Sequence, residues 1–208
     1  DALPIPLPEE KTTADNTHIT TDQVIDARNR LLYVEGTPRW EYKFLRRVLM
    51  ADKQVTPIVF YTDAEGKPSG GTGDITADMS PPELSLCKIV IIGDLDAGEL
   101  GPGRAGNLVR FVDQGGSLVL LGGRKGWGAN GFLQTELGKI LPIRGSTLQD
   151  QVAKDPFPVV LTDAARSHPA FAGSEEFWSV VPPVLSAFSG AELSPGAQVL
   201  VTAETSAG

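Results

Sequence analysis

Leu31-Leu32-Tyr33-Val34-Glu35-Gly36-Thr37-Pro38-Arg39-Trp40 contains a change of chain geometry. The apolar run Leu31–Val34 reads as a strand buried on both sides, as in a parallel sheet. Gly36 ends it. Thr37 can cap a helix, and Pro38 suits a first helical turn, where its missing N–H would have had no partner anyway. Trp40, Phe44, Leu45, Val48 and Leu49 then recur at helical spacing and predict one apolar helix face. The stretch is strand, tight turn, helix.

Outward from it, the same alternation repeats. Pro57–Tyr61 predicts a second strand, and Thr62–Ser80 a long Gly-rich loop. Ser80–Leu84 has the composition of a capped helical turn. Lys88–Asp94 is the clearest strand, β-branched enough to be central. Leu108, Val109, Phe111 and Val112 mark a helix closed by Gly115-Gly116. Ser117–Leu121 is the next strand, Gly122–Gly131 a second Gly-rich loop, and Phe132–Leu141 a helix stopped by Pro142. Beyond it the pattern weakens, with strands expected at Val159–Leu161 and Gln198–Val201. Strands alternating with helices predict an α/β domain with a flavodoxin-like, doubly wound, mostly parallel sheet. Residues 1–29 read as an extended lead-in, with Ile19–Ile25 as one strand of a preceding domain, and residues 30–208 as the α/β domain.

The 208 residues are 41% hydrophobic and 21% charged, enough for one domain with a core. The net charge of −8 opposes binding to phosphate backbones, so nucleic acid is not an expected partner. Arg46-Arg47 with Lys43 reads as a solvated helix face. One cysteine, Cys87, forbids an internal disulfide and a cysteine-based zinc cluster. It precedes the central strand and reads as a buried structural thiol. No run of about 18 apolar residues is present. The sequence begins without Met and reads as a piece of a longer protein.

In a doubly wound sheet, ligands bind outside the carboxyl ends of the strands. The candidates there are Glu35, Arg39, Asp94, Asp96, Arg124 and Trp127. Glu35 and Arg39 flank the first turn, either as a ligand-gripping pair at a helix N-terminus or as a salt bridge that fixes the turn. The salt bridge is preferred. Asp94 and Asp96 could hold a divalent cation or work as acid and base, but capping the following helix is preferred. The Gly122–Gly128 loop, with Arg124, Lys125 and Trp127, lacks the Gly-Lys-Ser/Thr ending of a phosphate-binding loop. No Gly-x-Ser-x-Gly elbow exists, and neither His18 nor His168 has a partner at metal-ligand spacing. No cofactor is expected.

Several segments together resemble a known family. Leu32-Tyr33-Val34-Glu35-Gly36-Thr37-Pro38-Arg39-Trp40-Glu41-Tyr42-Lys43-Phe44-Leu45-Arg46 is the most specific. Ile89–Asp94, Phe111–Gly116, Leu118–Gly123 and Leu141-Pro142 follow in order. Leu161-Thr162 with His168-Pro169, Trp178 with Pro182-Pro183, and Pro195-Gly196-Ala197 complete the set. Over residues 24–203 the chain is similar to the class I glutamine-amidotransferase-like domains of large bacterial membrane proteins that carry a von Willebrand factor A-like region. The resemblance implies an amidotransferase-like fold in a cell-envelope protein, on the periplasmic side, with membrane contact only through flanking segments. Catalytic relatives place a Cys in a Gly-x-Cys-x-Gly elbow after a central strand. Here that elbow reads Gly122-Gly123-Arg124-Lys125-Gly126, with no thiolate to attack an amide. No His-x-Glu partner follows. The expectation is therefore a non-catalytic binding or structural module whose partner is another protein or another domain of the same chain. The alternatives are a hydrolase or metal-dependent enzyme using Asp94 and Asp96, or a small-molecule sensor.

Overall fold

A computed structural model describes residues 29–71, 75–145 and 149–203. The lead-in up to residue 28, with its Ile19–Ile25 strand, lies outside the described residues, and Asn29 already belongs to the first strand. The centre is a five-stranded sheet in the order β3-β2-β1-β4-β5. Its strands are β1 (Asn29–Glu35), β2 (Val55–Thr62), β3 (Pro68–Gly70), β4 (Ile89–Ile92) and β5 (Ser117–Leu120). β1 pairs in parallel with β2 on one side and with β4 on the other, Leu32 standing opposite Ile58 and Val90. β4 pairs in parallel with β5. Only β3 is antiparallel, and it covers just Phe60–Thr62 of β2. Pro57 is tolerated in β2 because, among the described residues, no strand pairs with the outer side of that part of β2. The chain is thus a mixed α/β protein with a mostly parallel sheet, compatible with the flavodoxin-like expectation.

Alternate residues of each strand serve two cores. Leu32, Val34, Ile58, Phe60, Val90 and Ile92 face one side. They pack there with Leu84 of α2 (Pro81–Ser85) and with Leu108 and Phe111 of α4 (Pro102–Asp113), beyond the short α3 (Ala97–Leu100). Leu31, Tyr33, Val59 and Ile91 face the other side, against Tyr42, Leu45 and Leu49 of α1 (Trp40–Ala51). The single apolar helix face read from the sequence therefore divides in two. Leu45 and Leu49 go to the sheet, whereas Trp40, Phe44 and Val48 are exposed.

Other boundaries also shift. The expected helix over Phe132–Leu141 is instead two 3-10 turns, Phe132–Gln134 and Glu136–Lys139, the second capped by the Thr135 hydroxyl. The Gly-rich loop after β2 contains β3, and Asp63 organises that hairpin by accepting from Glu65 N, Lys67 N and Ser69 Oγ. The final strand, β11 (Val201–Ala203), starts later than read, though Val199 and Leu200 still accept hydrogen bonds from Thr162. It pairs antiparallel with β8 (Val159–Leu161). The remaining pairs are β6 (Ile143–Arg144) with β10 (Glu192–Leu193) and β7 (Gln149–Phe157) with β9 (Val184–Ser189). Two short helices, α5 (Asp163–Ser167) and α6 (Glu175–Ser179), lie between β8 and β9. No helix among the described residues is long and apolar enough to cross a membrane.

The start of α2 is held by Glu83, whose carboxylate accepts from Ser80 N at 2.9 Å, Ser80 Oγ at 2.5 Å and Thr76 N at 2.7 Å. Burial by itself would raise the Glu83 carboxyl, but the Ser80 and Thr76 hydrogen bonds outweigh it and bring it down to about 2. A carboxyl lowered on folding stabilises the protein above its unfolded value and loses that contribution as pH falls through the folded one. Glu83→Gln should therefore lower stability at neutral pH and flatten the acid limb between about pH 4.5 and 2. Urea unfolding at stepped pH reads both effects, and an unchanged acid limb would refute this assignment.

Candidate functional site

β1 lies between strands that the chain reaches in opposite directions, so the crevice at the carboxyl ends of β1 and β4 is the topological switch point. Four of the six candidate residues, Glu35, Arg39, Asp94 and Asp96, lie at the end of β1 or in the segments that follow these two strands. Glu35 is the last residue of β1 and is fully buried. Its Oε2 accepts from the Tyr33 hydroxyl at 2.6 Å. Its Oε1 accepts from Gly36 N at 3.1 Å and from Asp94 N at 2.8 Å. Arg39 Nε stands 3.5 Å from the same oxygen. A carboxylate can be held in such a place only if its charge is paired and its lone pairs are used, and here both conditions are met.

The crevice is filled as a result. A Cβ on Gly36 would come within 3.0 Å of the Asp94 carbonyl oxygen, and one on Gly93 would meet the Glu35 carboxylate equally closely. Tyr33 takes part in the closure. Burial first, then the hydrogen bond to Glu35 and its negative charge, push its hydroxyl far above the ordinary phenol range. Tyr33 is therefore a fixed donor and not an acid–base group at neutral pH.

Asp94 carries the network to the next loop. Its Oδ1 accepts from Lys125 N and Gly126 N, both at 2.8 Å. This differs from the helix-capping role read from the sequence. Capping falls to Asp96, whose Oδ1 accepts from Glu99 N at 2.8 Å while Glu99 accepts from Asp96 N at 3.0 Å. Each aspartate is thus committed to a separate backbone task. Among the described residues there is no group of three or more His, Cys, Asp or Glu side chains placed to hold a metal.

The loop that would be a nucleophile elbow is shaped from within. Trp127 N donates to Gly123 O, and the Trp127 ring stands edge-on to Phe132, with centroids 5.5 Å apart. Trp127 therefore packs under its own loop and is half-buried, while Arg124 is exposed. Lys125 Nζ pairs with Glu99 Oε1 at 2.6 Å. That hydrogen bond raises the ammonium, the opposite of the lowering that a nucleophilic lysine needs. Cys87 is buried, its thiol raised by that burial, and its Sγ lies 3.8 Å from Glu83 O. His168 accepts from Ala170 N at 3.2 Å and so caps a 3-10 turn.

Two features had no sequence signal. One is Arg39 Nη1, which donates to Gly122 O at 2.8 Å and ties the start of α1 to the end of β5. Arg39 Nε and Nη2 are buried with no hydrogen-bond partner among the described residues. The other is a cavity of about 220 Å³ beside the network, lined by Val34, Glu35, Phe60, Thr62, Leu95 and Arg104 among others. It is smaller than the roughly 300–1,000 Å³ of typical ligand pockets.

Comparison with protein-family models, with curated proteins and with solved structures returns no match.

If Glu35 holds this junction, Glu35→Ala should cost about 3–5 kcal/mol, the range for stranding a buried charge. Gly93→Ala should also destabilise the fold, because its Cβ displaces the carboxylate. Chemical denaturation measures both. A loss below about 1 kcal/mol in Glu35→Ala would show that the network is dispensable.

Proposed function

We propose that this chain is a non-catalytic binding or structural module of a larger bacterial cell-envelope protein, set on the periplasmic side by segments outside it. The carrying observation is the closed switch point. Glu35, Asp94 and Asp96, the carboxylates a metal or an acid–base pair would need, are each engaged by the protein's own backbone N–H groups. The resemblance to amidotransferase-like domains without the elbow thiolate supports the same reading, because Arg124 and Lys125 do not replace a thiolate as nucleophile. The net charge of −8 favours protein over nucleic acid as partner.

The contact surface then moves from the strand ends to α1. Trp40 and Phe44 stack with centroids 6.3 Å apart and remain 71% and 59% exposed. Contiguous exposed apolar surface marks interaction sites more often than isolated side chains do, and Trp is among the residues that dominate binding energy. Trp40→Ala should reduce partner binding by at least tenfold while shifting the melting temperature by less than about 2 °C, since surface changes cost little stability. Calorimetric melting beside a binding titration against the neighbouring domain of the full-length protein tests this. Hydrolysis of an amide or ester panel, abolished by Asp94→Asn, would overturn the non-catalytic reading.

One observation favours a second reading, a small-molecule sensor. Arg39 holds Nη2 buried with no hydrogen-bond partner among the described residues, while its Nε pairs with Glu35, at the uncapped N-terminus of α1, where an anion is attracted. On this reading millimolar phosphate or acetate raises the melting temperature, and Arg39→Gln removes the effect. No shift with either anion rejects it.

A further inference from the structure

We propose that the cavity at the carboxyl ends of β1 and β2 is a binding site for a small monocarboxylate with a short apolar chain, held by Arg104 and Thr62. This goes beyond the α1 contact surface and rests on the non-catalytic reading above, because the acid is held and not converted. The place follows from the sheet. β1 and β2 end side by side, with Glu35 opposite Tyr61. The β2–β3 hairpin contributes Gly66 and Pro68 to the lining. Asp63 anchors that hairpin by accepting from Glu65 N, Lys67 N and Ser69 Oγ. Arg104, in the first turn of α4, lines the same space. The volume is about 220 Å³. That is below the roughly 300–1,000 Å³ of drug-sized pockets, so it selects a ligand of few heavy atoms.

The charge of the ligand follows from the lining. Glu35, Glu99 and Arg104 are its charged members. Two of them are already neutralised. Glu35 pairs with Arg39 and accepts from Tyr33, Gly36 and Asp94. Glu99 pairs with Lys125 through Oε1 at 2.6 Å and accepts from Asp96 N through Oε2 at 3.0 Å. Arg104 differs. Its Nη1 donates to the Glu99 backbone oxygen at 3.2 Å, and no carboxylate pairs with it among the described residues. The lining therefore carries one uncompensated positive charge. Asp63, Asp94 and Asp96 stand outside the lining, and each accepts from backbone N–H groups. Arg104 is half-buried, and a partly desolvated charge attracts a counter-ion more strongly than an exposed one. The positive end of α4, whose N-cap is Gly101 with no side chain to cap it, adds to that field.

The chemistry of the ligand follows from what surrounds that charge. The planar guanidinium matches a carboxylate through two parallel hydrogen bonds. Thr62 lines the cavity half-buried, and its hydroxyl makes no hydrogen bond among the described residues, so it is a free donor for the same group. One positive charge matches a monoanion. A phosphate dianion would leave one of its charges unpaired, and the chain's net charge of −8 opposes it further. Val34, Phe60, Ala77 and Leu95 supply the apolar part of the lining, and all four are buried. An alkyl chain laid against them gains about fourfold in affinity per methylene removed from water. A bare inorganic anion gains nothing there.

Calorimetric titration of the full chain with acetate, propionate and butyrate should show affinity rising about fourfold per methylene, to a Kd of about 1 mM or below for butyrate. Butanamide, the uncharged isostere, and inorganic phosphate should each bind at least about tenfold more weakly. Arg104→Gln should weaken butyrate about 10–100-fold and Thr62→Val about threefold to tenfold, with circular dichroism unchanged. Proton NMR should recover the butyrate intact. No binding of butyrate at about 10 mM, or equal binding of butyrate and butanamide, overturns the site and leaves the non-catalytic reading standing. That comparison needs no variant, so it decides even where a variant fails to fold. Butyrate binding that survives Arg104→Gln but is lost in Arg39→Gln overturns this site in favour of the N-terminus of α1. Consumption of butyrate overturns the proposal and the non-catalytic reading together.

Discussion

The buried Glu35 carboxylate is the interaction on which the rest of the structure depends. It sits where β1 ends and accepts from Tyr33, Gly36 and Asp94, so it joins its own strand to the turn after β4. Asp94 then accepts from Lys125 and Gly126, which joins the β4 turn to the loop after β5. Arg39 closes the circuit by pairing with Glu35 and donating to Gly122 O. Three parallel strands, paired along their length by backbone hydrogen bonds, are thus also locked at their tips by one charge. The close approach explains the glycines. Gly36, Gly93 and Gly123 each border a carbonyl or carboxylate that a Cβ would strike.

This lock commits the carboxylates at the strand ends to the protein's own backbone N–H groups. Catalytic carboxylates and amines are set apart by environments that bring their protonation near neutrality. Here the directions are opposite: Lys125 is raised by Glu99, and Tyr33 is raised by burial beside Glu35. Both hold their protons more firmly. The shifts are those of structural partners, and they follow from hydrogen bonds that fix loops. What the strand ends gain in rigidity they lose in reach toward a ligand.

The strand-turn-helix reading of Leu31–Leu49 and the β-branched run Ile89–Ile92 transferred to the structure because each depends on local pattern alone. The Glu35–Arg39 salt bridge was legible for the same reason, since four residues separate its partners. Asp96 as a cap was legible from its position before Ala97. Asp94 was not, because its donors come from residues 31 and 32 positions away, a distance that spacing cannot encode. Phe132–Leu141 reads as a helix by its apolar content, yet Gly138 packs against the Leu133 backbone and the segment tightens into 3-10 turns. The lateral reach of Arg39 to Gly122 is likewise invisible before the sheet order is known.

The two-sided apolarity of α1 is the clearest case where pattern and fold diverge. Trp40, Phe44, Leu45, Val48 and Leu49 make a stripe wider than one sheet face can accept. Leu45 and Leu49, with Tyr42, suffice to cover Leu31, Tyr33, Val59 and Ile91. Trp40, Phe44 and Val48 are surplus to that core, and exposing them costs on the order of 25 cal/mol for each Å² of apolar surface. An isolated domain gains nothing from this arrangement. The topology puts α2 and α4 behind the sheet and α1 in front of it, and α1 carries apolar surface beyond what that front core uses. With the strand-end carboxylates of Glu35 and Asp94 committed to backbone N–H groups, α1, with Trp40, Phe44 and Val48 exposed, is the element whose surface departs furthest from a solvated helix.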